Sequence, residues 1–219
     1  ERTRSRPLPA GRLNRSEVIG FAAACLVAGS FVLLSYVNLA ATIWALLTWG
    51  VYVLAYTPLK TRSVLNTAVG AIAGALPVLI GWSAVGAELD VRAVALFLVL
   101  FLWQFPHFMA IAWLYRRDYG QAGYQMLSVV DPSGRRAGWQ AVLAALALVP
   151  VSIVPVLPSP GTGSLLYVAG AVLLGAGQLA LAAMFWRHTT DLRARLLLRA
   201  SLVYLPTLLV MLMLAPWIH

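Results

Sequence analysis

Charge is in short supply in this sequence. Charged residues make up 11% of it, where an ordinary soluble domain carries about 25%. Hydrophobic residues make up 61% and the mean hydropathy is +0.84. A water-soluble fold would have to hide most of that apolar surface in a small core. A bilayer removes the demand, because lipid accepts apolar side chains on the outside. Cysteine is almost missing. Cys25 alone, set in an apolar run, excludes an internal disulfide framework and reads as a small buried hydrophobe. A phosphate-cradling glycine loop is absent, so there is no signature of a cytosolic nucleotide site. Linkers, low-complexity tracts and soluble segments are absent too, which leaves one membrane domain over residues 1–219. The net charge of +9 and pI near 10.4 do not indicate nucleic acid. The basic residues punctuate apolar runs and build no stacking platform with aromatics.

What is present is a series of long apolar runs. A crossing helix needs about 20 residues. Seven segments qualify: Val18–Val37, Leu39–Thr57, Thr67–Val85, Val91–Tyr115, Gly138–Leu157, Leu165–Trp186 and Leu196–Trp217. The fold class is therefore all-α, a polytopic transmembrane helix bundle. The basic residues then fix orientation. Arg2, Arg4, Arg6, Arg12 and Arg15 precede the first span, and Lys60 and Arg62 follow the second. Arg116, Arg117, Arg135 and Arg136 follow the fourth, and Arg187, Arg193, Arg195 and Arg199 follow the sixth. All fall on one side, and only Arg92 lies opposite, beside Glu88 and Asp90. The positive-inside rule puts the N-terminus in the cytoplasm, or in the matrix for an organelle, and His219 outside. The expected location is the cell inner membrane, or the mitochondrial inner membrane in a eukaryote. The arginine-rich start makes a poor targeting helix, since Pro7, Pro9 and Gly11 interrupt it and Glu1 opens it.

Polar residues beyond those needed for topology gather on the same side as the arginines. In the fourth span, His107, Ile111, Leu114 and Asp118 are spaced i, i+4, i+7, i+11 and share one face if the helix runs on that far. His107 would then lie roughly 16 Å deeper than Asp118. Pro106 frees a backbone carbonyl and is expected to kink the helix. An ionisable residue within a span is a functional candidate. The equally weighted alternative is a neutral histidine bonded to a neighbouring helix. Asp118, after Arg116 and Arg117, also fits a solvated interfacial salt bridge. Tyr56 and Lys60 are four apart, with Pro58 expected to disturb the register. Lys60, Arg2 and Arg6 also fit plain topology charges. Asn66 is expected to cap the third span. Trp103, Phe105, Phe108 and Trp113 read as packing or lipid contacts. The Gly/Ala runs from Gly70 and Gly170 read as sites of close helix packing.

Together these segments are more specific than any one of them. Arg2-Thr…Arg6-Pro-Leu-Pro-Ala-Gly-Arg12, Tyr56-Thr-Pro-Leu-Lys60-Thr-Arg62 running on to Trp82, Trp103-Gln-Phe-Pro-His107 running on to Gly123, and Met126-Leu-Ser-Val-Val-Asp-Pro-Ser-Gly134 resemble the UbiA superfamily of intramembrane prenyltransferases. Within it they resemble the members that farnesylate haem. The last two spans match only as generic apolar helices.

The resemblance implies a bundle of about nine helices around a cavity open to the membrane. It implies a prenyl diphosphate held through Mg2+ by two acidic motifs. The first of these, an Asn followed by spaced Asp residues, belongs just ahead of the stretch matching Arg2–Arg12. The expectation is therefore that the chain is N-terminally incomplete by two spans. The implied reaction is haem B plus farnesyl diphosphate plus water giving haem O and diphosphate. Asp118 is the expected metal ligand. Arg2, Arg6, Lys60 and Arg116 are the expected diphosphate ligands, and Tyr56, Lys60 and His107 the catalytic groups. His107 would bind haem, as an iron ligand or by orienting the porphyrin, or would manage a proton. Tyr56 and Tyr119 would position diphosphate or stabilise positive charge. Haem A synthase or oxidase-assembly proteins are the expected partners beside the lipid bilayer. The alternatives are a related enzyme acting on a quinone or chlorophyll precursor, a small transporter or haem-handling subunit, and an inactive truncated haem-binding membrane protein.

Overall fold

The computed structural model describes residues 6–158 and 160–217, so Arg2, Arg4 and His219 lie outside the described residues. Among the described residues every regular element is helical, and seven helical segments are long and apolar enough to cross a membrane. α1 (Arg15–Tyr36) opens with a capping box between Asn14 and Glu17. α2 (Leu39–Gly50) returns, widens into a π-helical turn over Val51–Tyr56 and closes in α3 (Thr57–Leu59). The third crossing is split into α4 (Asn66–Ala75) and α5 (Pro77–Ala84), because Pro77 has no N–H to continue the ladder. α6 (Val91–Leu114) is the fourth. The short α7 (Arg116–Gln121) and α8 (Leu127–Val130) follow it, and α9 (Arg135–Ile153), α10 (Thr162–Arg187) and α11 (Asp191–Leu214) complete the set. Alternate crossings put the loops bearing Lys60, Arg116, Arg135 and Arg187 at one end, called the basic end below.

α6 is the centre of the bundle, packing on α4, α5, α9 and α11, while α10 closes against α9 and α11. Lipid is as apolar as leucine, so association rests on close van der Waals approach between small residues. Ala141, Ala145, Ala171, Gly175 and Ala182 are buried along these contacts. A Cβ on Gly138 would come 2.6 Å from the Cα of Trp186, so α9 and α10 nearly touch at the basic end. Met109, Trp113, Phe185 and Leu197 fill the core at that end, and Val99, Leu148, Tyr167 and Tyr204 fill the other.

Three expectations are corrected. Cys25 is exposed rather than buried, because α1 packs chiefly on α2 and buries none of its residues. The last crossing begins at Asp191, five residues before Leu196, because Thr190 Oγ1 accepts from the Arg193 N–H at 3.3 Å and starts the helix among its arginines. The fourth helix does not run on to Asp118. It ends at Leu114, and Tyr115 (φ −106°, ψ 20°) breaks the register. The shared face of His107 and Asp118 is lost there, although Pro106 lies inside an otherwise continuous helix.

Candidate functional site

The π turn builds the first wall. Thr57 N–H reaches back five residues to the Tyr52 carbonyl, one residue further than in an α-helix. Tyr52 and Tyr56, four apart, keep neighbouring rings across this turn, at 5.1 Å between centroids. Pro58 lies just beyond, and the wide turn accommodates its missing N–H. The register from Tyr56 to Lys60 therefore survives, with Lys60 N–H donating to the Tyr56 carbonyl at 3.2 Å. As a result the Lys60 ammonium stands 4.4 Å from the centroid of the Tyr56 ring and 5.8 Å from that of Tyr52. Such cation–π contacts strengthen when desolvated.

α4 supplies the floor under Tyr56. A Cβ on Gly70 would meet Tyr56 Cε2 at 2.8 Å, so only glycine lets the ring lie flat there. One turn further along α4, a Cβ on Gly74 would collide with Gln104 Oε1. The glycine row thus lets Tyr56 and Gln104 settle side by side on one helix. Gln104 is buried in α6 and donates through Nε2 to the Ala71 carbonyl at 2.9 Å and to the Leu100 carbonyl at 3.1 Å.

The second wall is stapled to the first. Gln125 N–H donates to the Lys60 carbonyl at 2.7 Å. Asn66, wholly buried, donates through Nδ2 to Ser63 O at 2.6 Å and to Gln125 O at 2.9 Å. It is therefore a staple between two loops, not the helix cap expected of it. The staple draws in Tyr119 and Tyr124, whose rings stack at 6.0 Å and whose hydroxyls lie within electrostatic reach of Tyr56. Asp118, beside Tyr119 on α7, is exposed, and among the described residues its carboxylate makes no hydrogen bond or ion pair.

His107 sits deeper, about 10 Å along α6 from Leu114. Its ring stacks on Trp103 at 4.9 Å, and its Nδ1 lies 2.9 Å from Ser201 Oγ on α11. Ser201 Oγ already donates to the Leu198 carbonyl at 2.7 Å, so it accepts from His107 Nδ1–H. In the neutral ring Nε2 is then left without its proton, and it has no partner among the described residues. Trp103 Nε1 donates to the Ser201 carbonyl at 2.7 Å and fixes the same corner. Gln104 and His107 are three apart, one turned to α4 and the other to α11. They lie on adjoining faces of α6, one toward each of those two helices.

Arg116 is elsewhere. Its guanidinium lies 4.3 Å from the Trp113 ring and donates to the Trp113 carbonyl at 2.6 Å and to Asp191 Oδ1 at 3.0 Å. Trp113 packs on Phe185 of α10. These contacts turn Arg116 toward α10 and α11, and among the described residues none of them is with Lys60 or Tyr56. Arg6 is exposed in the turn-rich segment before α1, and Arg2 lies outside the described residues. The structure thus joins Tyr56 with Lys60, ties the Asp118-bearing loop to them, and holds His107 deeper along α6 against Ser201 of α11. Gln104, Tyr52, Tyr124 and Ser201 were not singled out from sequence. Only Gln104 carried a usable signal, as a lone amide within the apolar fourth span.

The model of the UbiA prenyltransferase family covers residues 1–217. This chain belongs to the UbiA prenyltransferase family. Among its relatives is protoheme IX farnesyltransferase of Rhodopirellula baltica, 43% identical over 218 residues, covering 95% of this chain and 75% of that protein. The protoheme IX farnesyltransferase of Solibacter usitatus is 44% identical over 205 residues, covering 94% and 70%. A solved structure from work on digeranylgeranylglyceryl phosphate synthase in membranes superposes with a TM-score of 0.77 over 99% of this chain and 77% of that one. At 20% identity it speaks for the UbiA fold alone.

Magnesium in this family's chemistry needs one or two carboxylates, with diphosphate oxygens completing the shell. Among the described residues no three His, Cys, Asp or Glu side chains gather around a metal position. At the basic end the Asp118 carboxylate is unpartnered among the described residues, which fits a metal shared with substrate phosphate rather than one caged by protein.

Proposed function

We propose that this chain transfers the farnesyl group of farnesyl diphosphate to a vinyl group of protohaem IX (haem B), giving haem O and diphosphate. The observation that carries the reading is the Lys60 ammonium over paired Tyr56 and Tyr52 rings at the basic end, with the bare Nε2 of His107 deeper along α6; the space between α4 and α11 is taken as the substrate groove. The names of the relatives supply the acceptor.

The physical task is to ionise an allylic diphosphate in an apolar medium. Lys60 is the point charge that receives the leaving diphosphate, with Arg2 and Arg6 as further cations from the segment before α1. Asp118 would be the protein ligand of Mg2+, and the metal, when bound, offsets the charge of the departing group. The electron-rich faces of Tyr52 and Tyr56 suit both the ammonium and the allylic cation left behind. Gln104 anchors the wall where the farnesyl chain would lie. His107 Nε2 orients the haem or takes a proton, and Ser201 holds it in the required tautomer. Apolar side chains around the groove delay water until the new carbon–carbon bond has formed. Water then adds as hydroxide and its proton leaves, giving the hydroxyethylfarnesyl side chain.

The whole chain acts as a single membrane domain. The N-terminus lies on the cytoplasmic side of the inner membrane, as the arginine distribution implies. Partners in haem A formation or oxidase assembly would take the apolar product. The test is haem extraction and mass spectrometry after expression in cells that lack haem O. Haem O is the expected product. A prenylated 4-hydroxybenzoate with haem B unchanged would overturn the haem assignment.

A further inference from the structure

Away from the groove, at the basic ends of α9 and α10, lies a cavity of about 570 Å³ lined by Ser133, Arg135, Trp186, Arg187, His188 and Thr189. Two guanidinium groups and an imidazole converge there. Among the described residues none of the three side chains makes a hydrogen bond or ion pair.

The backbone charges nearby are already matched by other groups. At the start of α9, Asp131 Oδ2 accepts from Arg136 N–H at 2.9 Å, and Asp131 Oδ1 accepts from Ser133 Oγ at 2.6 Å. Those bonds hold the Asp131 carboxyl below the usual carboxylate range. At the end of α10, the Met184 and His188 carbonyls accept from Arg193 at 3.0 and 3.4 Å. The other acid in the neighbourhood, Asp191, is held by Arg116 and by Trp113 Nε1. Arg135, Arg187 and His188 therefore face the cavity with no counter-charge of their own.

The surroundings say what kind of anion fits. Trp186 pairs with Trp139 at 5.1 Å, an aromatic pair at the level where tryptophan marks a membrane interface. On α9, Arg135, Trp139, Leu143 and Leu146 follow i, i+4, i+8, i+11 and share one face. Trp139, Leu143 and Leu146 are 47%, 46% and 54% exposed. A cationic cup thus opens onto an apolar stripe that runs into the membrane. A free phosphate would use only the cup.

We propose that this cavity is a selective site for an anionic phospholipid of the leaflet at the basic end. Its phosphate lies between Arg135 and Arg187, with His188 beside it, and one acyl chain lies along Trp139, Leu143 and Leu146. The site is separate from the Lys60 groove.

The test uses the whole protein in nanodiscs of mixed phosphatidylglycerol and phosphatidylcholine, with retained lipid counted by native mass spectrometry. Wild type is expected to keep phosphatidylglycerol in preference. Removing the two arginines in R135Q/R187Q should weaken that preference about 25-fold, at about fivefold for each charge near the surface. R135K/R187K should retain most of it. R195Q/R199Q, which alters exposed arginines outside the cavity, should leave it unchanged. Wild type without a lipid preference overturns the site whatever the variants do. An equal loss in R195Q/R199Q reduces the effect to general surface charge and also overturns it. Protection from thermal unfolding by inorganic phosphate in pure phosphatidylcholine discs, at the level given by phosphatidylglycerol, overturns the lipid assignment in favour of a free anion.

Discussion

The ammonium of Lys60 stands 4.4 Å from the centre of the Tyr56 ring, one helical turn back along the chain. The same ring lies against bare Gly70 backbone on α4. A cation, an aromatic face and a glycine thus form a single stack, and each can be tested separately.

Lys60→Ala should lower kcat by about 10²–10³-fold, the range seen when one preorganised stabiliser of transition-state charge is removed. Membrane insertion and thermal stability should stay near wild type. Quantified haem O formation against substrate concentration is the measurement. Retention of more than a third of wild-type kcat would remove Lys60 from the site.

Gly70→Ala introduces a Cβ 2.8 Å from Tyr56 Cε2 and must push the ring, and with it the ammonium, out of place. A displacement of about 1 Å at a reacting centre can cost about 10²-fold. Gly177→Ala is the matched control, because nothing lies within 4 Å of a Cβ there. Equal activity in the two variants would mean that the Tyr56 position is unimportant.

Arg116→Gln should leave kcat within about twofold of wild type, since the guanidinium is held by Asp191, and a partly exposed ion pair contributes about 0–1 kcal/mol. A loss comparable to that of Lys60→Ala would show that Arg116 turns toward diphosphate during turnover. Asp118→Asn should instead raise the magnesium concentration needed for half-maximal rate by about tenfold or more, because a hard cation loses an anionic oxygen ligand. An unchanged magnesium dependence would exclude Asp118 as the metal ligand.

Ser201→Ala removes the acceptor that holds the proton on His107 Nδ1. The other tautomer then competes, and activity should fall about tenfold, while His107→Ala should fall about 10²-fold or more. Imidazole added to His107→Ala should restore part of the rate if Nε2 chemistry is involved. No difference between the histidine variant and wild type would leave His107 as a packing residue joined to α11.

Much of the fold was legible because the crossings are long, mostly apolar runs with arginine or lysine gathered at their basic ends. The boundary that slipped, at Asp191, did so because three arginines sit inside the helix and look like loop. The site was legible in part. Tyr56, Lys60 and Asp118 stood out as polar residues at the basic end. Their spatial relation did not, because it depends on a π turn and on one buried asparagine that bridges loops far apart in sequence. The shared face of His107 and Asp118 failed for a local reason, the break at Tyr115. Arg116 could not be separated from the other arginines until Asp191 was seen beside it.

Asn66 donates both protons of one amide group to carbonyls from two different loops. An aspartate has the same outline but would set lone pairs against lone pairs, so the two loops would part. Asparagine and aspartate codons differ by one base, so the two loops joined at the basic end lie a single transition from coming apart. Limited proteolysis around Gly123 would register the event, and unaltered protease resistance in Asn66→Asp would show that other contacts hold the loops together.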